Sequence, residues 1–278
     1  MSWEVDIVSF DGVRIRAFRT PPVPGREQVA LVLPLATRPT FVERALQRLA
    51  QHFNVITWEA RLLLEPEQGW SGDSALSLDA HARDALAVLD HFQVPRASLV
   101  GYCSGAALAL RMAEAHAARF HKLVLVNGAY FLAPEVCDVT QYERDVLALA
   151  PLIAMNRDTA AAVFKAALAS GSFHQPDHEF ARDICLPYAS VETFHRYGVG
   201  LAQCIQADAC QSAEAITLPT LVMSGGKDDR THPASSALIA SRIARSQHSV
   251  DSEADHYSLC RAREATLERM RQFLSAEV

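Results

Sequence analysis

The sequence predicts an α/β fold: a mostly parallel sheet flanked by helices, with an all-helical cap inserted after the sixth strand. Three observations carry that reading. Continuous apolar runs such as "VALVLPL" (29–35) and "KLVLVNG" (122–128) have the composition of strands covered on both faces, as in a parallel sheet. Stretches with apolar residues at helical spacing alternate with these runs. From 133 to 215 the alternation lapses into helix-like segments alone, and it resumes at "TLPTLVMSGGKDD" (217–229).

The elements follow in order. "EVDIVSF", a turn at Asp11-Gly12 and the alternating "VRIRAF" read as a hairpin. After the link "TPPVPG" comes the strand at 29–35. A helix follows over "PTFVERALQRLAQHF", with Pro39 near its start, where a missing N–H costs nothing. "NVITWEA" is the next strand. A loop rich in Glu, Gly and Ser leads to "LSLDAHARDALAVLDHF", whose Leu76, Leu78, Ala82, Ala85, Leu86 and Leu89 fall close to helical spacing. "ASLVGY" (97–102), a helix over "SGAALALRMAEAHAARF" and the strand at 122–128 complete the first half. Within the interruption, "DTAAAVFKAALAS" and "SVETFHRYGVGLAQCIQA" read as helices. A helix over "PASSALIASRIA", a short strand near 246–251 and a last helix over "REATLERMRQFLSA" close the chain. Residues 1–132 and 216–278 therefore form the sheet domain and 133–215 the cap. The cap is rich in Ala, Leu, Phe and Val, which suits a substrate with an apolar part.

A chain of 278 residues, half apolar and 21% charged, accommodates one α/β domain with a sizeable insertion and a conventional core. The net charge of −6 and the lack of any basic run argue against nucleic acid or an anionic membrane as the main partner. The first residues carry Glu4 and Asp6 and no apolar run, so neither a signal peptide nor a membrane anchor is expected. The six cysteines, at 103, 137, 185, 204, 210 and 260, form no CxxC pair, and reduced thiols in a cytoplasmic protein are expected.

The stretch "LVGYCSGAAL" (99–108) carries two adjacent nucleophile types, Cys103 and Ser104. On a tight strand-to-helix turn, the residues two before and two after the apex must be very small, because strand end and helix start nearly touch. Around Cys103 those positions are Gly101 and Gly105. Around Ser104 they are Tyr102 and Ala106, and the tyrosine does not fit. Sterics select Cys103 as the nucleophile and place Ser104 at the helix N-terminus, where its backbone N–H points at a developing oxyanion. The helix end also favours negative charge on the sulfur.

Gly101-Tyr102-Cys103-Ser104-Gly105 resembles the nucleophile elbow of the α/β-hydrolases, with Cys in place of the usual Ser; dienelactone hydrolases have a similar cysteine elbow but no large helical lid. The resemblance implies the chain order nucleophile, acid, histidine. "LVMSGGKDDRTHP" resembles the family's strand–Gly–x–x–Asp turn. Counting from Gly226 places the acid at Asp229, with Asp228 the competing neighbour. "DSEADHYSL" supplies His256 in the loop before the last helix. By the same resemblance, Ala36 in "LVLPLATRP" offers the second oxyanion N–H beside that of Ser104, although Pro34-Leu35 replaces the family's His-Gly. "TWEARLLL" departs from the family's Asp-x-x-Gly, and its loop is a candidate pocket wall.

His174, His178 and His195 show no metal-ligand pattern and read as surface or pocket-lining residues. Cys137, Cys185, Cys204 and Cys210 read as apolar packing. No metal or organic cofactor is implied. The expected activity is acyl transfer through an S-acyl Cys103: cleavage of an ester or thioester, with Asp229 orienting His256. The alternatives are an acyltransferase or cyclase passing the acyl group to an amine, thiol or alcohol, and a non-catalytic ligand-binding relative. The expected partner is a small acyl substrate, free or bound to a carrier or CoA, and the chain is expected to be a monomer or homodimer.

Overall fold

The computed structural model describes residues 3–65, 67–171 and 178–277. Strict alternation in the first two strands pairs β1 (Trp3–Val8) antiparallel with β2 (Arg14–Arg19), placing Ile7 opposite Ile15 on the buried face. The remaining strands are β3 (Gln28–Val32), β4 (Asn54–Trp58), β5 (Ala97–Tyr102), β6 (Phe120–Val126), β7 (Thr220–Gly225) and β8 (Ser246–Asp251). They join the hairpin in one sheet of order β1-β2-β4-β3-β5-β6-β7-β8, in which β2–β4 is antiparallel and every later pairing parallel. Every residue of β4, β5 and β7 is buried, as a doubly covered parallel strand requires.

Helices α1 (Glu43–Leu49) and α10 (Glu264–Ser275) cover one face, packing on Val100, Tyr102, Val124 and Val126. Helices α2 (Leu78–His91), α3 (Ser104–Ala115) and α9 (Pro233–Arg242) cover the other, where Leu99, Leu123 and Leu125 point. The expected helix after β3 is shorter than its pattern: Pro39–Val42 form a 3₁₀ turn before α1 begins.

Between β6 and β7 lie α4 (Gln141–Met155), α5 (Arg157–Ala169), α6 (Ala181–Ile184), α7 (Val191–Gln206) and α8 (Ala209–Glu214). Helix α4 starts at a capping box, Thr140 and Glu143 each satisfying the other's backbone N–H, and it carries Pro151 internally. Polar contacts tie these helices to the sheet domain. Arg196 of α7 donates to the carbonyls of Leu62 (3.0 Å) and Gln68 (2.9 Å), and the Thr40 hydroxyl donates to Asp183 (2.6 Å). Among the described residues no helix is long and apolar enough to cross a membrane.

The loop after β4 has a structural role. Arg61 is fully buried, 2.6 Å from Asp11 in the β1–β2 turn and 3.1 Å from the equally buried Asp84 of α2. Ser9 also donates to Asp84 (2.5 Å). Burial raises the Asp84 pKa to about 7 against the pull of Arg61. Removing one partner of such a pair leaves a charge in a dry interior. Asp84→Ala is therefore expected to lower unfolding stability by about 3–5 kcal/mol, read as a shift in the urea midpoint, with the slope unchanged.

Candidate active site

Strand β5 runs straight into α3 through one residue, Cys103, whose backbone is left-handed (φ 54°, ψ −126°). For a residue with a Cβ this is a strained conformation, costing about 1–3 kcal/mol, and the surrounding packing must hold it. The two glycines show how tight the turn is. A Cβ on Gly101 falls 2.6 Å from the Gly105 carbonyl oxygen, and one on Gly105 falls 2.4 Å from the Val32 carbonyl oxygen. Neither distance admits a side chain, so the spacing centres the turn on Cys103. The Ser104 hydroxyl is engaged instead: it accepts the Leu35 N–H at 2.9 Å and is buried. Tyr102, also buried, donates its hydroxyl to the His256 carbonyl at 2.9 Å and so ties the elbow to the histidine loop.

His256 occupies a short 3₁₀ turn after β8, and its Nδ1 lies 2.9 and 3.1 Å from the two carboxylate oxygens of Asp228. Here the structure corrects the expected acid. Strand β7 ends at Gly225, not Gly226, so the turn counts from Gly225 and brings Asp228 under the imidazole. The Asp229 side chain is 81% exposed, and its nearest cation is Arg230, at 3.9 Å. Asp228 accepts further bonds from the backbone N–H groups of Arg230 (2.8 Å) and Thr231 (2.9 Å) and from the Thr231 hydroxyl (2.9 Å). Burial alone would raise its pKa. His256 and these donors outweigh that and hold the carboxyl below its ordinary value.

Burial likewise works to lower the His256 pKa. The charges and hydrogen bonds of Cys103 and Asp228 more than offset it and raise the imidazole to about 10. These partners favour the protonated form of the ring. Asn127 locks the assembly. Its amide donates to the carbonyls of Asp255 (3.1 Å) and His256 (2.9 Å) while its oxygen accepts the Gly225 N–H (3.0 Å), joining the ends of β6 and β7 to the histidine loop. Asn127 belongs to none of the expected motifs. The available signal was a polar side chain directly following an apolar parallel strand, where ligand-side residues of such sheets lie.

On the other side of Cys103, Ala36 is buried with φ 55°, directly after Leu35, whose N–H is held by Ser104. The left-handed turn at Ala36 places the exit of β3 beside the start of α3. Neither the Ala36 nor the Ser104 N–H has a backbone or side-chain acceptor among the described residues.

Cys103 and His256 open onto a cavity of about 100 Å³. Its wall includes Phe41, Tyr142, Tyr188, Tyr197, Tyr257 and Arg230. Tyrosines thus dominate the lining contributed by the cap, while Ala150 of α4 and Val199, Leu201 and Cys204 of α7 are buried in the core. The loop following β4 does not contribute to the wall. Cys185 does, and half-buried His178 packs edge-on against Tyr257 at 4.6 Å. Cys204 is buried packing, as expected. His195 is neither at the surface nor in the wall: it is buried against Trp70. His174 lies outside the described residues.

Known proteins share this architecture. Over 98% of this chain it superposes on the whole of the enol-lactonase from Burkholderia xenovorans LB400, with a TM-score of 0.72 and 19% identity. An esterase from Exiguobacterium antarcticum matches over 99% of this chain and all of its own length, with a TM-score of 0.75 and 17% identity. In sequence, the chain is 30% identical over 260 residues to an L-allo-isoleucyltransferase of Pseudomonas savastanoi pv. glycinea, covering 90% of this chain and 87% of that one. A family model described as alpha/beta hydrolase fold matches residues 44–260. With its sheet order, its strand-to-helix elbow and that match, the chain belongs to the alpha/beta hydrolase fold family.

Proposed function

We propose that this protein is an acyltransferase that carries its acyl group as a thioester on Cys103. The observation behind this reading is the line Cys103–His256–Asp228 at the base of a cavity on the elbow of the fold, with His256 and Asp228 buried and Cys103 half-buried. The Cys103 sulfur attacks the carbonyl carbon of a donor thioester. The resulting oxyanion lies between the Ala36 and Ser104 N–H groups. As the donor's C–S bond breaks, the departing thiolate takes the proton from the His256 imidazolium. The now neutral imidazole accepts the proton of an incoming acceptor thiol or amine, whose attack on the acyl carbon releases Cys103. Asp228 keeps Nδ1 protonated throughout and stabilises the imidazolium form.

Two considerations favour transfer over hydrolysis. A thioester on the enzyme is more reactive toward amines and thiols than an oxygen ester is. The likeness to an L-allo-isoleucyltransferase supports the same direction. The cavity of about 100 Å³ is well below the roughly 300–1,000 Å³ of pockets that engulf whole ligands. It receives the acyl end while the rest of the donor remains outside. The test is partitioning of the pre-formed S-acyl enzyme. With N-acetylcysteamine at millimolar concentration, at least about tenfold more acyl group is expected on the thiol than lost to water, measured by mass spectrometry. Equal or greater loss to water makes the protein a thioesterase instead.

A further inference from the structure

Arg230 stands out in the cavity wall. Among the described lining residues it is the one with a permanent charge, and none of them is a carboxylate. Its guanidinium lies over the Tyr142 ring, 4.8 Å from the centroid, with the side chain three-quarters covered. It donates no side-chain hydrogen bond among the described residues. Its one ionic neighbour, Asp229, is 3.9 Å away and extends into water, where such a pairing is worth little. The backbone of Arg230 already serves the fold, through its N–H to Asp228 and its carbonyl from Thr140, and any residue with an N–H would supply those bonds. An arginine with an open fork of donors at the edge of a reaction cavity is the arrangement that receives an oxyanion.

We propose that Arg230 determines specificity for the acyl donor by binding an oxyanion that the donor carries. The proposal rests on the reading of Cys103 as the acyl carrier. Two sources share that chemistry: a carboxylate at the end of a short acyl chain, inside the cavity, or a phosphate on the donor's carrier arm, outside it. A free ammonium on the acyl group is disfavoured by the same charge. The aminoacyl group in the name of the Pseudomonas relative is thus set apart from the substrate proposed here.

The experiment measures the rate of Cys103 acylation by intact mass with matched donors. One arm compares succinyl with butanoyl N-acetylcysteamine thioesters. The other compares butanoyl phosphopantetheine with butanoyl N-acetylcysteamine. At least one arm is expected to show a preference of about tenfold or more for the anionic donor. That ratio is expected to collapse to about one in Arg230→Gln and to survive in part in Arg230→Lys. No preference in either arm overturns the proposal, as does a ratio that persists in Arg230→Gln, which would mark a structural role alone. If no donor acylates Cys103, the acyltransferase reading fails, and Arg230 is judged by equilibrium binding of the same intact donors to the Cys103→Ala protein. There the anionic donor is expected to bind about tenfold more weakly once Arg230→Gln is added; equal binding overturns the proposal.

Discussion

Cys103→Ala is expected to lower acyl turnover by at least about 10³-fold, because no other group at the elbow can form the acyl bond. Ser104, the neighbouring hydroxyl, is engaged by the Leu35 N–H at the joint between β3 and α3 and lies one residue past the apex of the turn. Alanine keeps the Cβ and the half-buried volume of the site, so the fold is expected to survive, as checked by circular dichroism and a thermal melt. Cys103→Ser is expected to keep weak activity. The His256–Asp228 pair can draw a proton from a hydroxyl, but a hydroxyl gives up its proton far less readily than a thiol does. Turnover in Cys103→Ala within tenfold of wild type would remove Cys103 from the mechanism.

The second large effect separates two adjacent carboxylates. Asp228→Asn is expected to reduce turnover by about 10³–10⁴-fold, since the amide stabilises neither the correct tautomer nor the charged ring. Asp229→Asn is expected to stay within about threefold of wild type, because that side chain is in water. The same pair of variants has a spectroscopic signature. In the wild type the His256 ring stays protonated above its ordinary 6.5, up to about 10. Burial, the largest influence on it, lowers the value, and Asp228 is one of the two groups opposing that. Asp228→Asn should therefore move the titration down by at least one pH unit, followed by proton NMR of the imidazole. Asp229→Asn should leave it in place. The reverse pattern would return the acid role to Asp229.

Much of this molecule was legible before any coordinates. The sheet, its flanking helices and the helical insertion follow from period and composition. A parallel strand buried on both faces must be apolar throughout, and an amphipathic helix must repeat its apolar face. The short polar β8 lies at 246–251 as expected, whereas α4, with Pro151 inside it, is not singled out by its own pattern within the helical insertion. The choice of Cys103 over Ser104 also came from local sterics. Gly101 and Gly105 are forced by backbone atoms within a few residues or on the adjacent strand. Such constraints are written in the spacing of small residues.

What the sequence by itself determined, then, is the fold class and the elbow at Cys103; the expected order of Cys103, a carboxylate and His256 came with the family resemblance. The tertiary structure decided which carboxylate meets the histidine. That depended on where β7 stops, and a strand ends where its ladder with β8 ends, a property of two segments and not of one. It likewise decided that Asn127 clamps the histidine loop, that Arg61 is buried between Asp11 and Asp84, and that tyrosines and Arg230 line the cavity. Each of these depends on contacts between residues far apart in the chain. A side chain's identity alone carries no information about which distant partner its fold will set against it.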